Sequence, residues 1–110
     1  MIRIDITKHA YCRMKQRLGW GKKTAQRMAE VAYMRGVGHG ETNGHLHKYI
    51  SSQLLGYMKK GHCIKIYGET VFCFVKEKGE EDVVTLITVW AVPHSLKEHA
   101  LRSQRNKTSA

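Results

Sequence analysis

Hydrophobic and polar positions follow two different spacings along this chain of 110 residues. The first residues alternate isoleucine with polar side chains, which predicts a short edge strand. Thr7 then suits a helix N-cap, and apolar side chains three and four apart predict a first helix that ends near Leu18. The same spacing recurs between Thr24, an expected cap, and Gly36, an expected end, and predicts a second helix that is mostly core.

The middle of the chain changes from a glycine-rich segment to a β pattern. Residues 36–47, GVGHGETNGHLH, contain four glycines and predict a mobile loop, after which helical spacing returns over about 46–59. The segments HCIKIY and TVFCFVK flank Gly68 and Glu69, which predicts a tight hairpin. The later segment VVTLITVW is apolar on both faces and predicts an interior strand.

Helices that precede a run of strands indicate the fold class. We expect an α+β domain over residues 1–93, with the N-terminal helices packed on a three- to four-stranded antiparallel sheet. Residues 94–110 begin as a helix and are expected to continue as a basic C-terminal tail. A sheet that is apolar on both faces needs more cover than three helices easily provide, so a homodimer is a further expectation.

The composition is that of a globular protein, with 42% hydrophobic residues. No apolar run reaches the length of about 20 residues that a membrane span needs, and no signal peptide opens the sequence, so we expect a cytoplasmic protein without membrane contact. The three cysteines, Cys12, Cys63 and Cys73, form no C-x-x-C pair. We expect them to be reduced, with Cys63 and Cys73 on opposite faces of the sheet, and we expect no cofactor.

The amount and the distribution of positive charge indicate the class of ligand. Nineteen Lys and Arg against nine Asp and Glu give a formal net charge of +10. Residues 1–35 carry nine basic and two acidic side chains, residues 94–110 carry four and one, and residues 62–93 carry three and five. A basic excess confined to part of a small domain is the electrostatic footprint of a nucleic-acid binder. Solubility, or an acidic protein partner, is the alternative explanation.

The first predicted helix places His9, Arg13 and Arg17 on one flank, because residues four apart share a side of a helix. Histidine can give or take a proton near neutral pH, and neighbouring arginines can hold phosphate. Cleavage of RNA without a metal ion needs that combination, since a base removes the 2′-OH proton and a cation stabilises the crowded phosphate. Lys8 and Lys15 fall on the other flank, and a solvated basic face is the alternative interpretation.

Further candidate residues lie beyond the first helix. Three loop histidines could close over a substrate, collect a metal ion or remain solvated, and they are His39, His45 and His47. Thr88, in the last strand, could hydrogen-bond phosphate, although threonine is also a common strand residue. Six side chains are expected to bind nucleic acid through a positive charge or a phenol group: Lys22, Lys23, Lys48, Tyr49, Arg102 and Arg105.

The segments ITKHAYCRMKQR and VVTLITVW together resemble a group of small bacterial and phage domains. Those domains open with H-A-x-x-R-M-x-x-R, here His9 to Arg17, and end in a strand of the pattern v-i-T-v, here around Thr88. The group is remotely similar to the RelE, ParE and BrnT toxins of the barnase–EndoU–colicin–RelE ribonuclease fold. The likeness covers about residues 4–92, and the glycine- and histidine-rich insertion and the basic tail depart from it.

The resemblance implies a RelE-like fold and a toxin-type endoribonuclease that cleaves RNA by 2′-OH transesterification without a metal ion. His9 would be the acid or base and Arg13 the phosphate contact. Arg17 would be a second phosphate contact or a structural ion-pair partner, and Thr88 a hydrogen-bond donor. RNA or another nucleic acid would be the ligand, and an antitoxin or a host complex could be a protein partner. The alternative is a non-catalytic phage or mobile-element protein that inhibits a host defence or nucleic-acid-handling complex.

Overall fold

The computed structural model describes residues 3–38, 42, 44–53, 62–76 and 83–109. Over these residues helices and strands intermix, and the predicted α+β class is confirmed. The elements are strand β1 (Arg3–Ile6), helix α1 (Lys8–Leu18), helix α2 (Lys22–Arg35), strand β2 (Val37–Gly38), helix α3 (Gly44–Gln53), strands β3 (His62–Tyr67), β4 (Thr70–Lys76) and β5 (Val83–Ala91), a short 3-10 helix (His94–Leu96) and helix α4 (Lys97–Ser109). Among the described residues, no helix has the length and apolar character that crossing a membrane requires.

The described strands form one mixed sheet in the order β1-β5-β4-β3-β2. Strand β1 lies parallel to β5, with Ile4 beside Val84 and Ile6 beside Leu86, whereas the other neighbours are antiparallel. The expected three- to four-stranded antiparallel sheet is therefore not confirmed, because the sheet has five strands and one parallel edge. Parallel neighbours need a long crossover connection, which the chain between β1 and β5 supplies.

Helices α1 and α2 cover one face of the sheet, here called the α1–α2 face. Side chains alternate along a strand, so Phe72 and Phe74 of β4 both point to this face. The ring of Trp20 stacks on Phe72 with centroids 6.3 Å apart, and the ring of Tyr33 meets Phe74 edge-on at 5.2 Å. The buried residues of this cluster are Ile4, Ala10, Met14, Ala25, Ala29, Ala32, Phe72, Phe74, Val84, Leu86 and Val89.

Helices α3 and α4 cover the opposite face, here called the α3–α4 face. Its buried residues are Val37, Leu46, Ile50, Ile64, Ile66, Val71, Cys73, Val92 and Ala100. The expected basic tail differs in the structure, because α4 packs on this face through Ala100 and the Gln104 side-chain amide donates to the Arg35 carbonyl at 2.9 Å. Helix α4 therefore adds cover to this face, and the expected homodimer stays a prediction.

The ends of α2 follow the sequence signals in part. Gly36 ends the helix as predicted, and its N–H donates to the carbonyl four residues earlier at 2.8 Å. The start differs, since α2 begins at Lys22 after the N-cap residue Gly21. Thr24 consequently lies inside the helix and does not cap it.

The third helix and the hairpin also follow the sequence. Helix α3 covers Gly44–Gln53, and the remainder of the helix predicted over 46–59 lies outside the described residues. Strands β3 and β4 pair as the predicted hairpin around Gly68, whose φ of 61° lies in the left-handed region that glycine adopts readily. Strand β5 is interior as predicted, with β1 on one side and β4 on the other.

Candidate nucleic-acid interface

Thr7 fixes the start of α1 to strand β5. Its side-chain oxygen accepts a hydrogen bond from the Ala10 N–H at 3.1 Å, which is the N-cap contact that the sequence predicted. Its backbone N–H donates to the Leu86 carbonyl at 3.1 Å, and its hydroxyl donates to the Ile87 carbonyl at 3.4 Å. The first turn of α1 is therefore held in a defined position beside β5.

The side of α1 that faces away from the sheet is polar along its whole length. Ala10 and Met14 are fully buried against the sheet. The outward positions are exposed, apart from the half-buried Arg13, and they are Lys8, His9, Cys12, Arg13, Lys15, Gln16 and Arg17. These residues are called the α1 surface below. The predicted stripe of His9, Arg13 and Arg17 is part of this surface.

The cations of the α1 surface are not neutralised within the described part of the chain. Helix α1 contains no acidic residue. Between two described residues, ion pairs join Arg3 to Asp5 at 3.0 Å and Lys97 to Glu69 at 3.7 Å, and neither pair includes α1. The four Lys and Arg side chains of α1 are thus available to an external anion.

Lysines occupy the first turns of both helices of this layer. Lys8 begins α1, Lys22 and Lys23 begin α2, and neither first turn contains an acidic residue. The positive end of the helix dipole disfavours cations at these positions. Lys15 and Arg17, in the last turn of α1, agree with the dipole instead. Helix stability therefore does not explain the lysines in the first turns of α1 and α2.

The start of α2 extends the same basic surface. Lys22, Lys23 and Arg27 are exposed, and Arg27 follows Lys23 by about one helical turn. The two lysines were predicted as contacts from the sequence and Arg27 was not, although Arg27 follows Lys23 at helical spacing. Glu30 accepts a hydrogen bond from the Gln26 side-chain amide at 3.3 Å, and that amide also donates to a carbonyl of β1 at 2.8 Å.

Thr88 lies apart from the α1 surface. A register shift between Cys73 and Phe74 marks an irregularity in the pairing of β4 with β5, and Thr88 pairs with Cys73. The Cys73 side chain is buried on the α3–α4 face, and Thr88 is only 9% exposed. Helix α1 covers the other face, so the structure does not bring Thr88 together with His9 and Arg13.

The loop histidines are also remote from α1 or outside the described residues. His39 lies outside them. His45 of α3 packs edge-on against His99 of α4, with ring centroids 6.0 Å apart. His47 Nδ1 lies 3.2 Å from the hydroxyl of Thr42, which is buried. Both described loop histidines thus belong to the α3–α4 side of the protein.

The remaining predicted contacts belong to α3 and α4. Lys48 is exposed, and Tyr49 is half-buried against the cluster of the α3–α4 face. Arg102 and Arg105 are exposed on α4. The predicted nucleic-acid contacts therefore divide into two groups, one on each side of the sheet, and Lys22 and Lys23 belong to the group that includes α1.

Two acid–base groups of the core have raised pKa values. Burial, and secondarily the charge of Cys63, raises the pKa of Tyr33. The same two causes raise the pKa of Cys73 to about 11. Cys63 packs on the α1–α2 face and Cys73 on the other, as predicted.

Within the described residues, no group of three or more His, Cys, Asp and Glu side chains could hold a metal ion.

Comparisons with known proteins identify no relative of this chain. The sequence matches no protein family and no curated protein, and the structure matches no solved structure. The function is therefore inferred from the chain's own residues.

Proposed function

We propose that the protein binds nucleic acid through the α1 surface and the start of α2. One observation carries the proposal: α1 has four Lys and Arg side chains, no acidic residue, and no ion pair with any described residue. Phosphate is the anion that a cationic surface of this kind attracts, because each contact releases a counterion from the nucleic acid. The partly positive N-termini of α1 and α2 add to the attraction.

The spacing of the cations suits a repeating anion. Arg13 and Arg17 are one turn apart, about 6 Å along the helix, and Lys8 and Lys15 are about 10 Å apart. A small anion would contact one or two of these side chains and leave the others unused. A polymer with a phosphate in every unit can contact all of them.

Two matched double substitutions test which side of the protein binds. Arg13→Gln with Arg17→Gln removes two charges from α1, and Arg102→Gln with Arg105→Gln removes two from α4. Fluorescence anisotropy with labelled RNA and DNA oligonucleotides measures the Kd at fixed salt, and circular dichroism checks the fold. We expect the α1 pair to weaken binding by about tenfold or more and the α4 pair to have much less effect. Equal losses, or a larger loss from the α4 pair, would contradict the proposal.

Cleavage of RNA is a second candidate function, and the position of His9 favours it. His9 is exposed one helical turn from Arg13, so one surface offers a proton carrier beside a phosphate contact. The RelE-like fold and the toxin activity belong to this candidate and rest on the sequence motif. Thr88 has no part in it, because this side chain is buried on the other face.

Incubation of RNA in EDTA with the wild-type protein and with His9→Ala tests cleavage. We expect fragments with 2′,3′-cyclic phosphate ends from the wild type and their loss in the variant. His94→Ala changes an exposed histidine beyond β5 and is the matched control. Intact RNA in every sample would reject the ribonuclease and leave the binding function standing. If this protein instead binds one host protein tightly, with an affinity that does not depend on salt, that result would favour an inhibitor of a host complex.

A further inference from the structure

The further inference concerns the form of nucleic acid that the α1 surface binds, and it rests on the proposed function. We propose that α1 enters the major groove of double-stranded DNA. Cys12 and Gln16 would then face the base pairs, while the cations on the two flanks of the helix contact the two phosphate backbones. The geometry of α1 supports this assignment in three steps.

The outermost line of α1 is uncharged. Successive residues turn by about 100° around a helix, so Cys12 and Gln16 lie about 40° apart, and their mean direction is opposite Met14. Met14 is fully buried, and both Cys12 and Gln16 are exposed, as this placement requires. The side chains that project farthest from the sheet are thus a small thiol and an amide.

Cations lie on both sides of this line. Lys8 and Lys15 are about 60–80° to one side, and Arg13 and Arg17 are about 80–120° to the other. A helix that follows a single strand needs cations on one flank only. A helix inside a groove lies between two phosphate backbones, so two basic flanks beside an uncharged line fit a duplex.

The dimensions of α1 suit the groove of B-form DNA. That groove is about 12 Å wide and about 8.5 Å deep, and an α-helix with its side chains is about 10–12 Å across. The 11 residues of α1 extend over about 16 Å, the length of about five base pairs. The Gln16 amide can donate to N7 and accept from N6 of adenine there. The major groove of double-stranded RNA is too deep and narrow for this contact.

The aromatic side chains argue against a single-stranded ligand. Proteins that bind single strands stack the bases on accessible aromatic rings. In the part of the chain that the structure describes, every Phe, Tyr and Trp side chain is buried or half-buried. Tyr11 of α1 and the two aromatic residues that follow, Trp20 and Tyr33, pack against the buried cluster of the α1–α2 face. The α1 surface therefore provides charge and hydrogen-bonding groups without a platform for stacking.

The first test compares three ligands of one sequence: a DNA duplex of about two helical turns, its single strand and the corresponding RNA duplex. Anisotropy titrations at one salt concentration give the three Kd values. We expect the DNA duplex to bind at least about tenfold more tightly than the other two. Equal or tighter binding of either of the others would overturn the groove assignment and leave the proposed function intact. No binding of any ligand would reject the proposed function itself.

The second test asks whether the uncharged line recognises bases. Selection from DNA duplexes with a randomised centre gives the preferred sequence of the wild type. Gln16→Ala should reduce the preference for that sequence by about tenfold. Lys8→Gln should weaken selected and unselected duplexes alike, and Arg35→Gln, at the end of α2 that contacts α4, should change neither. A wild type without preference, or a preference that survives in both Gln16→Ala and Cys12→Ser, would overturn the assignment.

Discussion

Replacement of Thr7 by alanine tests the contacts that hold α1 in place. The N-cap hydrogen bond to Ala10 contributes about 1 kcal/mol. The bond from the hydroxyl to the Ile87 carbonyl is long, at 3.4 Å, and adds about 0.5 kcal/mol. The unfolding free energy should therefore fall by about 1.5 kcal/mol. For a domain of 110 residues, with an unfolding entropy of about 0.23 kcal/mol/K, the Tm should fall by about 6 °C.

Urea denaturation, followed by circular dichroism, measures this loss against a matched control. Thr24→Ala is the same substitution in the same layer, at an exposed position inside α2 without a cap contact. Because alanine is the better helix former, Thr24→Ala should leave stability unchanged or raise it by about 0.5 kcal/mol. Thr7→Ser keeps the capping oxygen and should retain most of the stability. Equal effects of the two alanine substitutions would refute the role given to Thr7.

Two further predictions concern stability. A Cβ on Gly36 would clash with a carbonyl oxygen of α2, so Gly36→Ala should lower the unfolding free energy by about 2 kcal/mol or more. Gly21→Ala meets no atom within 4 Å and should lower it by less than about 1 kcal/mol; a similar loss in both would contradict the clash. The pKa of Cys73 is raised from 9.0 to about 11, so the folded state holds this proton more tightly than the unfolded state. The contribution of Cys73 to the unfolding free energy should be constant below about pH 8 and fall from about pH 9 to 11 by up to about 2–3 kcal/mol. Urea denaturation across this range should show a larger decrease in Cys12→Ala than in Cys73→Ala, and the same profile in both would disprove the assignment to Cys73.

Local signals were sufficient to predict α1 and the hairpin. Thr7 needs only the N–H groups of the next turn to act as a cap, and its contact to Ala10 spans three residues. Gly68 needs only its own positive φ to let β3 turn into β4. Both features depend on neighbours in the sequence, which is why spacing and residue type identify them.

Pairing between distant residues could not be predicted in the same way. The parallel contact of β1 with β5 joins Arg3 to Val83, and no local pattern indicates the direction of such a pair. Strand β2 is only two residues long, and it forms because Val37 pairs with Ile66 of β3. In α4, Ala100 is the residue placed in the buried cluster, and one small side chain in a polar helix gives little amphipathic signal.

The residues of the candidate site also differ in how far the sequence predicts their positions. Helical spacing placed His9 and Arg13 on one side of α1, and their outward position agrees with that spacing. The position of Thr88 depends on the register shift beside Cys73 and Phe74, which changes the alternation of side chains along β5. An irregularity of this kind arises from the partner strand, so the sequence of β5 alone does not indicate it.

The most direct test of nucleic-acid binding by α1 is the salt dependence of affinity. Plots of log Kd against log salt concentration for the wild type and for Arg13→Gln with Arg17→Gln give the number of phosphate contacts. We predict a steep linear dependence for the wild type and a slope smaller by about 1.8 for the double variant, because each contact contributes about 0.9. An affinity that does not respond to salt, or an identical slope for the two proteins, would contradict a phosphate-binding role for α1.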